Sequence, residues 1–232
     1  MIVDTMTLGE VARYLLLNVF DNRPHINLIE KKIAPLLPKY KQAIGAWRFN
    51  PTRSKGGGDR VKVFKPIIVS SPLPHSLPGE KLFIIPTSSS TTDFKFATTC
   101  GYIFTWRGKK YIATRIKESG SKERFIRFYT WHSLERWMER WEGNLEDSLT
   151  LEKACEIIGR NCDVVFNCGE GKNGKDDDRE RLFASWDGSW LGIMEWQERY
   201  MVLATFISEE EYYERQEEIW NDCSKDLEEL YK

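Results

Sequence analysis

Phe125-Ile126-Arg127-Phe128-Tyr129, running on through Thr130 into Trp131-His132-Ser133-Leu134-Glu135-Arg136-Trp137-Met138-Glu139-Arg140-Trp141, changes its period at residue 130. Four of the first five residues are aromatic or β-branched, and the run reads as a strand. After them Leu134, Trp137, Met138 and Trp141 gather on one side at about 100° per residue, which predicts an amphipathic helix from Trp131 to about Glu142. A strand that turns directly into a helix with an aromatic face needs a sheet for that face to cover.

Working outward, residues 61–70, 82–87, 94–105 and 110–116 are short β-branched or aromatic runs separated by Pro, Gly and Ser, and read as strands. Downstream lie a helix over 150–160 with Thr150 as N-cap, a short strand at 164–166, and a hairpin whose arms flank Asp187-Gly188. A strong strand follows over 200–207, and Ser208 caps a final acidic helix. At the N-terminal side, Thr7 with Glu10 three residues on starts a helix over 7–20. A second helix over 26–44 is interrupted by Pro35 and Pro38. The class is α+β: an antiparallel-rich twisted sheet with helices packed on it, N-terminal helices and a C-terminal helix. Residues 1–120 form a basic accessory region and residues 121–232 a second module.

The 232 residues, 41% hydrophobic and 30% charged, have the composition of a globular chain and exclude a disordered one. No apolar run reaches membrane-spanning length, so no membrane partner is expected. No basic leader precedes the first helix. Five cysteines without a CxxC pair argue against a disulfide framework or zinc knuckle and point to a reducing cytoplasm. No metal or other cofactor is expected.

The net charge of -1 hides a division. Through Arg127 there are 22 Lys and Arg against 9 Asp and Glu, and beyond it 12 against 26. Between residues 31 and 65 only Asp59 opposes ten cations. Arg48, Arg53, Lys55, Arg60 and Lys62 interleave there with Trp47, Phe49 and Phe64. Cations for phosphates and aromatic faces for unstacked bases suit single-stranded nucleic acid. The competing reading docks this basic stretch on the acidic C-terminal helix of the same chain.

On the helix of 131–142, His132, Arg136 and Arg140 share one stripe opposite the aromatic face. Two like charges four residues apart are mildly unfavourable unless an anion lies between them. A guanidinium fork suits phosphate, and an imidazole is the usual proton carrier near neutrality. The plainer reading is a solvated helix on which Glu139 neutralises Arg136. His-x3-Arg-x3-Arg on a helix entered from a strand, with Thr205 in the later strand Met201-Val202-Leu203-Ala204-Thr205-Phe206, resembles the RelE/barnase/EndoU/colicin superfamily of metal-independent ribonucleases over about 125–208. The resemblance implies RNA cleavage by 2′-OH attack on the adjacent phosphate. His132 would transfer a proton, Arg136 and Arg140 would clamp the phosphate, Thr205 would hydrogen-bond it, and Tyr129 would be a second proton-transfer group. It also implies a toxin-like hydrolase whose partners are RNA, in a ribosomal setting, and an inhibitor protein. The alternative is a non-enzymatic nucleic-acid-binding or protein-interaction protein.

Other motifs carry less. Gly169-Glu170-Gly171-Lys172-Asn173-Gly174-Lys175 approaches a phosphate-binding loop, but Asp176 stands where a hydroxyl is needed. Asp176, Asp177 and Asp178 read as a solvated loop, Cys155, Cys162 and Cys168 as structural thiols, and His25 and His75 as loop residues.

Overall fold

The structure is a computed structural model, and it describes residues 2–39, 61–69, 79–89, 95–117, 124–143, 147–162, 165–166, 180–185, 187–212 and 214–229. The basic segment carrying Arg48, Arg53, Lys55 and Arg60 lies outside these residues, as do the side chain of Lys62, His75 and the glycine- and aspartate-rich loop 168–178.

Thr7 opens helix α1 (Leu8–Leu15) with both bonds of a capping box, as its spacing from Glu10 predicts. The predicted run to residue 20 is not one α-helix: Leu16–Phe20 widens into a π-helical turn closed by Asp21 N–H donating to Leu16 O at 2.8 Å. In a continued α-helix Phe20 would sit about 100° past Val19; the wider turn lets both side chains enter the core, where both are buried. Helix α2 (Arg23–Ile33) then ends in a 3₁₀ turn at Ala34–Leu36, where Pro35 interrupts it. His25 is not a loop residue. It is buried in the first turn of α2, and its Nδ1–H donates to Val19 O at 2.9 Å, satisfying a carbonyl of the π-turn.

Ten described strands form one sheet. They are β1 (Val61–Val63), β2 (Ile67–Val69), β3 (Lys81–Ser89), β4 (Lys95–Trp106), β5 (Lys109–Lys117), β6 (Arg124–Thr130), β7 (Val165–Phe166), β8 (Glu180–Ser185), β9 (Gly188–Glu195) and β10 (Tyr200–Ile207). The order is β1-β3-β4-β5-β6-β10-β9-β8-β7, with β2 also on β3, and every pairing is antiparallel except β6 with β10. The parallel pair follows from the crossover through helices α3 (Trp131–Trp141) and α4 (Leu151–Arg160), since a parallel connection needs a long excursion. β5 and β6 pair from Tyr111↔Thr130 to Lys117↔Arg124, so the sheet runs unbroken through the boundary expected at 120/121. The fold is α+β, with N-terminal helices and a C-terminal helix.

Alternation along the strands divides the core in two. Ile126, Phe128, Phe104 and Tyr111 face α1 and the π-turn, meeting Val11, Leu15, Val19 and Phe20. Phe125, Tyr129, Trp190, Leu203 and Phe206 face α3 and α4, meeting Leu134, Trp137, Met138 and Ile158. The last helix, α5 (Glu214–Glu229), starts five residues later than a cap at Ser208 implies. Ser208 instead serves a 3₁₀ turn at Glu209–Glu211, where its hydroxyl donates to Glu211 Oε2 at 3.2 Å. α5 packs through Cys223 and Leu227 on Ala184 of β8.

β9 and β10 pair with a register shift between Leu203 and Thr205. A Cβ on Gly192 would overlap the Val202 carbonyl oxygen, a backbone atom that no rotamer change can move. Gly192→Ala is therefore expected to destabilise by about 1–3 kcal/mol or more. The checking measurement is a urea midpoint that falls while the slope of the transition holds.

Candidate functional site

Thr130 ends β6 and caps α3, its Oγ1 accepting from Ser133 N–H at 3.0 Å and donating to Ala204 O of β10 at 3.0 Å. The aromatic face then falls where the periodicity places it, with Leu134, Trp137 and Met138 buried and Trp141 half-buried. His132 is exposed and Arg136 and Arg140 are half-exposed on the outer stripe.

The two arginines do not form an open fork. Arg136 Nη1 meets Glu139 Oε2 at 2.5 Å, and Arg140 Nε meets Glu211 Oε2 at 3.1 Å while its Nη1 donates to Phe206 O. Each guanidinium is thus matched by its own carboxylate, the arrangement of a structural helix and not of an anion clamp.

Thr205 and Tyr129 lie elsewhere. Phe206 packs under α3, ring to ring with Trp137, so its neighbour Thr205 points to the other face of the sheet, paired in register with Leu191. Tyr129 is completely buried, with its ring edge-on to Trp190 at 5.6 Å and its hydroxyl accepting from Arg127 and donating to Asn161 O at 3.4 Å. A group sealed there cannot exchange protons with a strand of RNA. The structure therefore keeps His132, Arg136 and Arg140 on one helix but separates them from Tyr129 and Thr205.

The two ends of α3 meet different surroundings. At the first turn, Lys110 of the β4–β5 hairpin sits 3.2 Å over the Trp131 ring, and burial pulls its ammonium below the usual lysine range while Glu135 opposes that shift. Lys109 is exposed on the same hairpin, whose backbone at Arg107 and Gly108 has positive φ, while the Arg107 guanidinium turns away to the N-terminal segment, its Nε donating to Asp4 O at 3.0 Å. His132 thus stands at a cationic, partly aromatic end, and Arg140 at the acidic one.

Two arrangements escape sequence reading. One is a buried polar cluster: Asp187, fully buried in the β8–β9 turn, receives Arg160 through Nε at 3.2 Å and Nη2 at 3.1 Å, and Asn161 Nδ2 at 3.1 Å. Arg160 also lies over the Trp137 ring at 5.2 Å. Asp187-Gly188 signals a turn, and nothing local adds that the carboxylate also anchors α4. The other is an open cleft of about 520 Å³ at the opposite end of β6, lined by Arg13, Leu16, Leu17, Asp21, Arg124, Gln197, Glu198 and Arg199. Asp21 Oδ1 accepts from Arg115 at 2.9 Å and from Arg124. These residues come from three distant segments, so no spacing rule joins them.

Among the described residues no group of His, Cys, Asp and Glu is placed to hold a metal, and no helix is long and apolar enough to cross a membrane. Burial, with Glu152 adding to it, holds the Cys155 thiol far above the usual range, and burial raises that of Cys100 against the pull of Arg115; neither is an activated nucleophile. No protein-family model, curated protein or solved structure matches this chain.

Proposed function

We propose that this protein binds single-stranded RNA through the cationic half of its sheet and is not itself a nuclease. The observation that carries the reading is the segregation of charge by topology. From Val61 to Thr130 the described residues carry eleven Lys and Arg, with Glu80 as the opposing acid. The acidic helix α5 packs on β8 and β7 at the far edge of the sheet, where it cannot screen those strands. Arg115 and Arg124 are met by Asp21 and Arg127 is buried, but Lys65, Lys81, Lys109 and Lys110 are exposed, and a surface with such a cationic excess attracts a polyanion from solution. Lys110 with Trp131 and the neighbouring exposed His132 supply cation, ring and hydrogen-bonding group at one end of that surface, a combination suited to unstacked bases.

Affinity for a single-stranded RNA should fall steeply with salt, with a log–log slope of about -0.7 per phosphate contacted. Charge reversal at Lys109, and at Lys55 and Arg60 in the basic segment, should weaken binding and flatten that slope. Fluorescence anisotropy over a salt series measures both, and salt-insensitive binding or none at low salt would overturn the reading. The same mixtures test for cleavage. RNA that acquires 2′,3′-cyclic phosphate ends in excess chelator, in a manner lost in His132→Ala, would make the protein a metal-independent ribonuclease after all.

A further inference from the structure

We propose that this protein associates head to tail with a second copy of itself, the acidic outer face of α5 on one molecule seating on the cationic end of the sheet on the next. The partner here is another copy of the chain and not RNA, although both use the same open lysines.

α5 turns its inner face to the sheet, with Cys223 and Leu227 buried against Ala184 and Ile219 and Trp220 beside them. On its outer side Glu214, Glu218, Asp222 and Asp226 follow one another at four-residue spacing, and all four are exposed. At 1.5 Å per residue the row runs about 18 Å. Like charges at this spacing repel along a helix. Lys225 reaches Asp222 at 3.6 Å, while Glu214, Glu218 and Asp226 make no ion pair among the described residues. Cations brought from another molecule would relieve the row.

The sheet carries the complementary surface. Lys81 of β3 and Lys110 of β5 are exposed and two strand spacings apart, about 10 Å. Lys81 repels the Lys110 ammonium, and Glu135 attracts it without forming an ion pair among the described residues. Ile68, 45% exposed in β2, pairs in register with Phe83 and so shares the face of Lys81. It gives a contact there some apolar surface to bury.

Within one molecule the sheet keeps the two surfaces apart. Phe83 and Ile112 face α3 and α4, so Lys81 and Lys110, each two residues from one of them, lie on that face. Ala184 packs on α5 while its neighbour Phe183 joins the α3 and α4 side, so α5 covers the opposite face. It does so on β8, four strand positions from β5. Opposite faces and distant strands leave contact only between molecules. Because the two surfaces differ, the contact is heterologous, and its repetition builds an open row or a ring.

The test is sedimentation velocity on the full chain over a concentration series. At about 0.01 M ionic strength, where charges act over about 30 Å, the wild type should form species larger than the 27.2 kDa protomer. At about 1 M, where they act over about 3 Å, it should return to the protomer. One variant combines Glu214→Gln, Glu218→Gln, Asp222→Asn and Asp226→Asn, and a second combines Lys81→Gln with Lys110→Gln. All six side chains are exposed, so neutral substitutes leave the core intact. Each variant alone should associate at least tenfold more weakly than the wild type. Their equimolar mixture should form dimers and nothing larger, because one complementary pair of faces remains. A wild type that stays a protomer at low salt, association undiminished in either variant, or a mixture without dimers would overturn the proposal. RNA bound by the four-acid variant as tightly as by the wild type, with assembly lost, would support the separate use of the two faces. Assembly without any RNA affinity would overturn the RNA reading alone.

Discussion

Asp187→Ala should lower the unfolding free energy by about 3–5 kcal/mol, the range for breaking a buried ion pair by removing one partner. The carboxylate is fully buried and takes three donors, two from Arg160 and one from Asn161. Without it the Arg160 guanidinium keeps, among the described residues, the faces of Trp137 and Trp141. For a chain of this length the loss amounts to roughly 10 °C in the thermal midpoint. Asp187→Asn should cost less, because one amide oxygen can still accept. The decisive comparison is Asp187→Ala with Arg160→Met in the same chain. If the charge left unpaired is the cause, the double variant should regain part of the loss. A double variant that falls by the sum of the two single losses would show that packing, and not charge, holds this corner.

Trp190→Ala should be as severe, about 3–5 kcal/mol, since the ring is fully buried and its loss leaves a large cavity. Its neighbours are rings at fixed angles, Phe206 at 5.0 Å and Tyr129 at 5.6 Å. Its indole N–H donates to Ser185 Oγ at 3.1 Å, and Ser185 in turn donates to Gly188 O at 3.0 Å. Trp190→Phe keeps most of the ring contact and should lose less. Because Asp187 and Trp190 both hold the β8–β9 turn, combining their alanine variants should cost less than the two losses added. Strict additivity in denaturant unfolding would mean that the turn and the ring are independent.

How far the sequence was legible depends on the range of the interaction. Thr7, Thr130 and Thr150 each cap the helix that follows, because a cap is a bond across three residues. The strand-to-helix change at Thr130 was readable because the two periods differ and the aromatic residues obey the second. The π-turn was not: residues 7–20 keep helical spacing throughout, and only the need to bury both Val19 and Phe20 widens the last turn. Ser208 misled for a related reason, since its hydroxyl found a local acceptor in Glu211 and the long helix began beyond it.

The candidate site separates the two kinds of knowledge further. A helical stripe of His132, Arg136 and Arg140 is a statement about one element, and it stands. Whether Arg140 meets a phosphate or a carboxylate depends on Glu211, which β10 and the turn after it bring alongside. Thr205 is one peptide away from a residue under the helix, and pleating sends it to the opposite face. Asp21 meets Arg115 and Arg124 from 94 and 103 positions away. By itself the sequence determined the class, the three threonine caps, the apolar faces and the division of charge between the halves, the caps and faces being set by neighbours a few residues apart. The tertiary structure alone decided which charges cancel and which lie together, because Coulomb partners and cleft walls are matched by distance in space, which sheet order creates and sequence spacing does not.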